Sequence, residues 1–85
     1  MNLSQKASEH LKNLRVYNGL TTEQFADLIK QKREAVSRWE NGRSSLTMKT
    51  FDRICERLKL VPTDFLCGEA EIKLDMDAIK SSSNS

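Results

Sequence analysis

The sequence predicts a small all-α fold of five short helices. The chain has 85 residues, which is enough for one domain with a single apolar core. Three glycines and one proline are too few for a fold rich in turns, and they favour helices. Apolar residues recur at three- and four-residue spacing within short segments, which is typical of amphipathic helices. Short helices joined by short connections pack as a bundle.

The first two helices are marked by their ends. The first is predicted over residues 4–18, and Gly19 follows it at a C-cap position. Thr21 and Gln24 have the spacing of a capping box, which predicts the start of the second helix. The residues predicted on the apolar faces of these two helices are Leu3, Ala7, Leu11, Leu14, Tyr17, Phe25, Ala26 and Ile29.

Three more helices are predicted after short connections. The third runs over residues 33–41, and Gly42 ends it. Thr47 can cap the fourth helix, and Pro62 suits the first position of the fifth. The residues at core spacing in the third and fourth helices are Val36, Trp39, Met48, Phe51, Ile54, Cys55 and Leu58, and the fifth helix ends in Phe65 and Leu66.

The C-terminal segment has a different period. Residues 71–77 alternate polar and apolar side chains, which is typical of a strand. A lone strand needs a neighbour for its backbone, so the segment is predicted either to pair with a second copy or another protein, or to be a disordered acidic tail. We therefore expect a domain at 1–66, an acidic tail at 67–80 and disorder at 81–85.

Charge is distributed unevenly along the chain. The formal net charge is only +2, which by itself does not suggest a nucleic-acid partner. Residues 30–43, however, carry five basic against two acidic side chains, whereas residues 67–85 carry four acidic against two basic ones. Such asymmetry indicates an anionic partner for the basic region.

Several functional classes find no support in the sequence. No apolar run approaches the length of a membrane span, and the first residues lack the pattern of a signal peptide, so we expect a cytoplasmic protein. Cys55, Cys67 and His10 are too few for a disulfide scaffold or a structural zinc site. No nucleophile–base pair or phosphate-binding loop is present, so neither enzymatic activity nor a cofactor is expected.

Two short helices joined by a three-residue connection are the helix-turn-helix arrangement. Residues 19–26 (GLTTEQFA) and 36–43 (VSRWENGR) resemble the Xre/Cro-type phage-repressor family of helix-turn-helix proteins. The resemblance covers about residues 7–66 and includes the closing PTDFL at 62–66. It implies a bacterial or phage DNA-binding regulator whose third helix is the recognition helix.

The N-terminal end of a recognition helix enters the major groove, where its side chains meet base edges. The resemblance places Arg33, Glu34 and Arg38 at base-reading positions, and Ser37 lies on the same side of the helix. Arginine can bind guanine through two acceptors, and glutamate can accept a hydrogen bond from cytosine. The alternative is that these charges are ordinary solvated surface residues.

Phosphate contacts are expected around this helix. Thr22 lies in the first turn of the second helix, where free N–H groups favour an anion. Asn41 and Arg43 match family positions that touch the DNA backbone, and Lys32 is a further candidate, although a solvated surface lysine explains it equally well.

The resemblance also implies structural roles. Arg15 and Glu40 match positions that form an ion pair between the first and third helices. Trp39 is assigned to the core because of its spacing from Val36 rather than to base stacking. Lys30 and Lys32 stand where the family often has glycine and serine, so a left-handed Lys30 would cost about 1 kcal/mol and Lys32 cannot cap the third helix.

These features predict a sequence-specific transcriptional regulator, a repressor that binds double-stranded DNA as a homodimer on an inverted repeat. One recognition helix reads few base pairs, so two-fold duplication is needed for specificity. The dimer is expected to form through the fifth helix or the tail. The contact residues predicted there are Phe65, Leu66, Ile72, Leu74 and Met76.

Two alternatives remain open from the sequence. The chain could be an antitoxin that neutralises a toxin through residues 67–76 while it regulates its own operon. It could equally be the controller of a restriction–modification system, which is a transcription regulator with the same sequence features.

Overall fold

Six α-helices form the described part of the chain, which comprises residues 2–82 of a computed structural model and the side chains of residues 2–79. The predicted all-α fold is confirmed, and the first five helices occur where they were predicted, with a sixth after them. Their bounds are α1 Leu3–Tyr17, α2 Thr22–Ile29, α3 Arg33–Glu40, α4 Met48–Arg57, α5 Pro62–Cys67 and α6 Met76–Ser82.

Local capping explains where the helices begin. The Gln24 N–H donates to Thr21 Oγ1 at 3.1 Å, and the Thr21 N–H donates to Gln24 Oε1 at 2.9 Å, which is the predicted capping box. A second capping box, which was not predicted from the sequence, joins Asn2 and Gln5 at the start of α1. Thr47 caps α4 by accepting a hydrogen bond from the N–H of Thr50 at 3.2 Å.

A single apolar core lies between the helices. Each of the first five helices contributes at least one buried apolar side chain, and Leu46 adds another from the loop before α4. The predicted apolar stripe of α1 is wrong at its two ends, because Leu3 and Tyr17 are more than half exposed. The buried residues at the centre of the core include Leu14, Phe25, Val36, Phe51, Ile54 and Phe65.

The C-terminal segment differs from the predicted strand. Residues 71–75 are irregular and have no strand partner within residues 2–82, and α6 begins at Met76. The side chain of Asn18 takes the place of a neighbouring strand: its Nδ2 donates to the Ile72 carbonyl at 2.8 Å, and its Oδ1 accepts from the Leu74 N–H at 2.9 Å. A carboxamide offers one donor group and one acceptor, as a peptide unit does, so it satisfies this backbone without a ladder.

The alternation of residues 71–75 corresponds to an irregular segment whose apolar side chains, Ile72 and Leu74, pack against the core. Leu74 is buried, whereas Lys73 and Asp75 on either side of it are exposed. Ala70 and Ile79 are buried in the same cluster, so residues up to 79 belong to the packed unit and the disordered-tail alternative is wrong for them. Of the segment 81–85, the first two residues lie in α6, and residues 83–85 lie outside the described part of the chain.

No helix within residues 2–82 combines the length and the apolar character that crossing a membrane requires.

Candidate nucleic-acid interface

The connection between α2 and α3 turns the chain sharply. Lys30 ends α2 in the left-handed conformation, with φ 60° and ψ 43°. The Gln31 N–H donates to the Ala26 carbonyl at 2.9 Å, which closes the last turn of α2. Lys32 then lies in extended conformation and begins α3 without a side-chain hydrogen bond to its free N–H groups. Lys30 thus adopts the left-handed conformation that glycine favours, and Lys32 occupies an N-cap position without capping it, as the family resemblance implies.

The recognition helix α3 has one buried and one exposed side. Val36 is buried and Trp39 packs partly buried against the core, which agrees with a core role for the tryptophan. On the other side, Arg33, Glu34 and Arg38 are exposed. Two cationic side chains and one carboxylate thus lie together along an eight-residue helix that is accessible to a ligand.

Ser37 and Asn41 are joined at the end of α3. The Asn41 side-chain Nδ2 donates to Ser37 Oγ at 3.2 Å. Ser37 is half-buried, and Asn41 is exposed at the C-cap. A base-reading candidate and a phosphate-contacting candidate therefore contact each other, a relationship that the sequence analysis did not predict.

An ion pair attaches the C-terminal end of α3 to α1. Arg15 Nε donates to Glu40 Oε2 at 2.8 Å, and Arg15 Nη2 donates to Glu40 Oε1 at 2.9 Å. Arg15 Nη1 also donates to the Leu20 carbonyl at 2.8 Å, so the same guanidinium reaches the loop before α2. The C-terminal end of a helix carries partial negative charge, which repels a carboxylate in the last turn. The Arg15 guanidinium offsets this repulsion at Glu40.

The remaining phosphate candidates surround α3. Thr22 is half-buried at the first position of α2, and Lys32 is exposed at the start of α3. Arg43 is exposed and follows Gly42, whose φ of 72° reverses the chain. The Arg43 N–H donates to the Arg38 carbonyl at 2.9 Å, which holds this residue beside the end of the helix.

The predicted dimer contacts divide into two groups. Phe65 and Leu74 are buried in the core of their own chain, with 3 % and 7 % of their surface exposed, so their assignment to an intermolecular contact is wrong for this conformation. Leu66, Ile72 and Met76 are half-buried and keep surface that a partner can reach. The sequence placed the apolar Phe65 at the end of the fifth helix but could not show which surface it packs against.

Two residues outside the predicted site connect α1 to the C-terminal segment. Asn18, besides binding the backbone of residues 72 and 74, donates to the Leu14 carbonyl at 2.8 Å. His10 Nε2 lies 3.2 Å from the Gly68 carbonyl oxygen, and its ring packs edge-on against Phe65 with centroids 5.5 Å apart. Neither residue belongs to a motif, so no local sequence signal marks these contacts.

The cysteines differ in accessibility. Burial, together with the negative charge of Asp52, raises the pKa of the Cys55 thiol to about 12, which keeps it protonated. Cys67 is exposed at the end of α5, and both are free thiols. Across the part of the chain that the structure describes, no three His, Cys, Asp or Glu side chains are grouped to hold a metal ion.

Comparisons with known proteins agree with this geometry. A family model described as helix-turn-helix matches residues 11–66, which is more than half of the chain. The antitoxin PezA of Streptococcus pneumoniae serotype 4 is 33 % identical over 58 residues, which are 68 % of this chain and 37 % of PezA. The chain thus spans little more than a third of the length of that relative. No solved structure matches it significantly. The chain belongs to the helix-turn-helix family of Xre/Cro type, which supports a DNA-binding transcription regulator.

Proposed function

We propose that this protein is a sequence-specific transcription repressor that reads DNA through the exposed side of α3. The observation that carries the proposal is the exposure of Arg33, Glu34 and Arg38 on a helix whose far end is attached to α1 by the Arg15–Glu40 ion pair. Side chains that read bases need a rigid support, because a small displacement loses the hydrogen-bond geometry.

Each base-reading candidate has a matching chemistry. Arg33 and Arg38 can each donate two hydrogen bonds to O6 and N7 of guanine, and Glu34 can accept from N4 of cytosine. Ser37 can bind either kind of base edge through its hydroxyl. One good bidentate contact discriminates against the wrong base by about 1–3 kcal/mol. Three such contacts specify a half-site of a few base pairs.

Phosphate contacts supply the register on the duplex. In this proposal Thr22, Lys32, Asn41 and Arg43 bind backbone oxygens on both sides of α3. Their contribution depends on salt and does not discriminate between sequences. Thr22 donates its hydroxyl at the positive end of α2, where an anion is favoured.

The proposed assembly is a homodimer on an inverted repeat. One recognition helix contacts too few base pairs for selective binding, whereas two copies about one helical turn apart double the number of contacts. Leu66, Ile72 and Met76 are the predicted contact residues that retain accessible surface. Sedimentation equilibrium of the full chain, alone and with a palindromic duplex, tests this assembly; a monomer on a single half-site would contradict it.

The proposal is tested by selecting duplexes from a random library with the full chain and measuring affinities at one fixed salt concentration. The Arg38→Ala variant should weaken binding to the selected site by about 1–3 kcal/mol and relax one base position. Arg53→Ala is the matched control, because Arg53 is exposed on α4 and has no proposed DNA contact. Failure to select any motif, or an equal loss for all sequences, would contradict base reading by Arg38.

A second candidate function is favoured by one comparison. The relative that matches 68 % of this chain is an antitoxin, so we propose that this protein also neutralises a protein partner, through residues 67–76. Co-expression of the full chain with the product of a neighbouring gene tests this: growth inhibition by that product should be relieved. If no neighbouring product inhibits growth, or if inhibition persists, the antitoxin function is wrong.

A further inference from the structure

We propose that a groove beside α5 binds a basic, apolar segment of a partner protein. This groove, called the α5 groove below, has a volume of about 420 Å³ and lies between the turn that joins α4 to α5 and residues 69–72. Its apolar lining includes Leu60, Val61 and Ile72. Val61 is 57 % exposed, and Leu60 and Ile72 are half-buried, so apolar surface is open to solvent.

The rim of the α5 groove is acidic. Asp64, Glu69 and Glu71 are exposed along it, and Lys59 is the one basic residue of its lining. Within residues 2–79 the salt bridge found is Arg15–Glu40, and none of these three carboxylates takes part in it. Apolar surface within a rim of unpaired negative charge complements a segment that combines apolar side chains with lysine or arginine.

The turn at one side of the groove contains two residues whose types do not suit their local backbone positions. Lys59 adopts a left-handed conformation with φ 62°, where glycine is favoured. Val61 occupies the N-cap of α5 and makes no side-chain capping bond, although serine, threonine, aspartate or asparagine is favoured there. Residues that break local rules are expected at functional sites, and here they place an exposed apolar side chain in the groove.

Charge decides between the candidate occupants. Phosphates of DNA would be repelled by the three carboxylates, so the groove is unsuited to the ligand proposed for α3. A second copy bound at this groove through a two-fold axis would bring two acidic rims together, so in this proposal the homodimer forms through Leu66 and Met76, which lie outside the groove lining. A basic, apolar segment of another protein avoids both conflicts.

This inference rests on the second candidate function for the existence of a protein partner, and it is independent of DNA reading. It adds the α4–α5 turn to the proposed contact surface and specifies the chemistry of the partner. Peptide binding, DNA binding and neutralisation are measured separately, so that each can fail alone. Peptide binding in the groove without neutralisation would contradict the antitoxin function only.

The test uses three synthetic peptides of equal length, which alternate Leu with Lys, Leu with Glu, and Ser with Lys. The full chain is titrated with each, and amide chemical shifts and the Kd are recorded. The Leu/Lys peptide should bind at least about tenfold more tightly than the other two and should shift the amides of residues 59–72. Absence of binding, or shifts located elsewhere, would overturn the proposal.

Charge-reversal variants distinguish binding in the groove from attraction by the overall charge of the protein. Glu69→Lys combined with Glu71→Lys should weaken the Leu/Lys peptide by about tenfold or more. Glu9→Lys combined with Asp52→Lys makes the same charge change at exposed sites outside the groove and should weaken it by less than about twofold. Equal losses in the two double variants would overturn the proposal.

Val61→Ser tests the apolar part without endangering the fold, because serine is a favourable N-cap. The Tm should be unchanged or higher, whereas affinity for the Leu/Lys peptide should fall about threefold or more. An unchanged Kd would show that Val61 does not contribute to binding and would overturn its proposed role.

Discussion

Arg15 and Glu40 join α1 to the end of the recognition helix through two parallel hydrogen bonds of 2.8 and 2.9 Å. Both side chains are largely buried, with 15 % and 11 % of their surface exposed. The planar guanidinium matches the carboxylate in geometry, so the pair fixes direction as well as distance. The orientation of α3 therefore depends on a contact between residues 25 positions apart in sequence.

Glu40→Ala should lower the free energy of unfolding by about 1–3 kcal/mol, because it leaves the Arg15 guanidinium with the Leu20 carbonyl as its remaining partner. Urea unfolding followed by circular dichroism measures this change. Glu34→Ala on the same helix is the control, since Glu34 is exposed and should change stability by no more than about 0.5 kcal/mol. Similar losses in both variants would show that the ion pair contributes no specific stabilisation.

Asn18→Ala should destabilise the chain by about 1–3 kcal/mol, because it leaves the Leu74 N–H and the Ile72 carbonyl without their partner. Hydrogen exchange of the Leu74 amide should accelerate by more than the loss of global stability explains. Exchange of the α2 amides should accelerate only by as much as that loss explains. Asn13→Ala, at an exposed position of α1, is the matched control. Unchanged Leu74 exchange would contradict the role of Asn18.

Lys32→Ser should change stability and DNA affinity in opposite directions. Serine can cap α3 where lysine does not, so the free energy of unfolding should rise by about 1 kcal/mol. Loss of one phosphate contact should weaken binding to all sequences and reduce the salt slope by about one. Lys12→Ser on α1 is the control: it provides no cap and should leave the salt slope unchanged. An unaltered slope in Lys32→Ser would exclude Lys32 from the phosphate contacts.

Alkylation should distinguish the two cysteines. At pH 8, iodoacetamide should modify exposed Cys67 in the native protein and reach Cys55 only after unfolding, because the Cys55 thiol is buried and its pKa is raised to about 12. Mass spectrometry of the digested chain identifies the modified residue. Rapid native modification of Cys55 would show that α4 opens readily.

The same thiol gives stability a pH dependence. Its pKa is 9.0 when unperturbed and higher in the folded chain, so the folded state favours the protonated form. Its stabilising contribution is complete below pH 9 and decreases as the pH rises toward 12. The Tm should therefore fall more steeply above pH 9 in the natural chain than in Cys55→Ser, which cannot titrate there. Parallel slopes would contradict this linkage.

Truncation of the C-terminal segment would remove part of the core as well as exposed surface. Removal of everything after Gly68 would delete Leu74 and Ile79, both of which are buried in the core. Loss of DNA binding or of dimerisation in such a variant would therefore follow from lowered stability as readily as from a lost contact. Point substitutions at exposed positions such as Glu69 and Glu71 avoid this problem.

The sequence by itself determined the features that depend on neighbouring residues. The capping box of Thr21 and Gln24, the helical apolar spacing and the helix-turn-helix motif are local, because caps and helix faces are set by residues three or four positions apart. The left-handed Lys30 and the uncapped Lys32 followed from the family resemblance, because the family often has glycine and serine at these two positions.

Tertiary structure decided the relationships between distant residues. The alternation at 71–77 predicted a strand paired with another chain, or a disordered tail. Residues 71–75 instead pack on their own chain, where Asn18 binds the backbone of Ile72 and Leu74, 54 and 56 positions away. Likewise, the sequence placed the apolar Phe65 in the fifth helix without showing that it packs inside its own chain rather than against another. An apolar or hydrogen-bonding side chain specifies the kind of partner it requires, but only the packed chain brings one particular partner within reach.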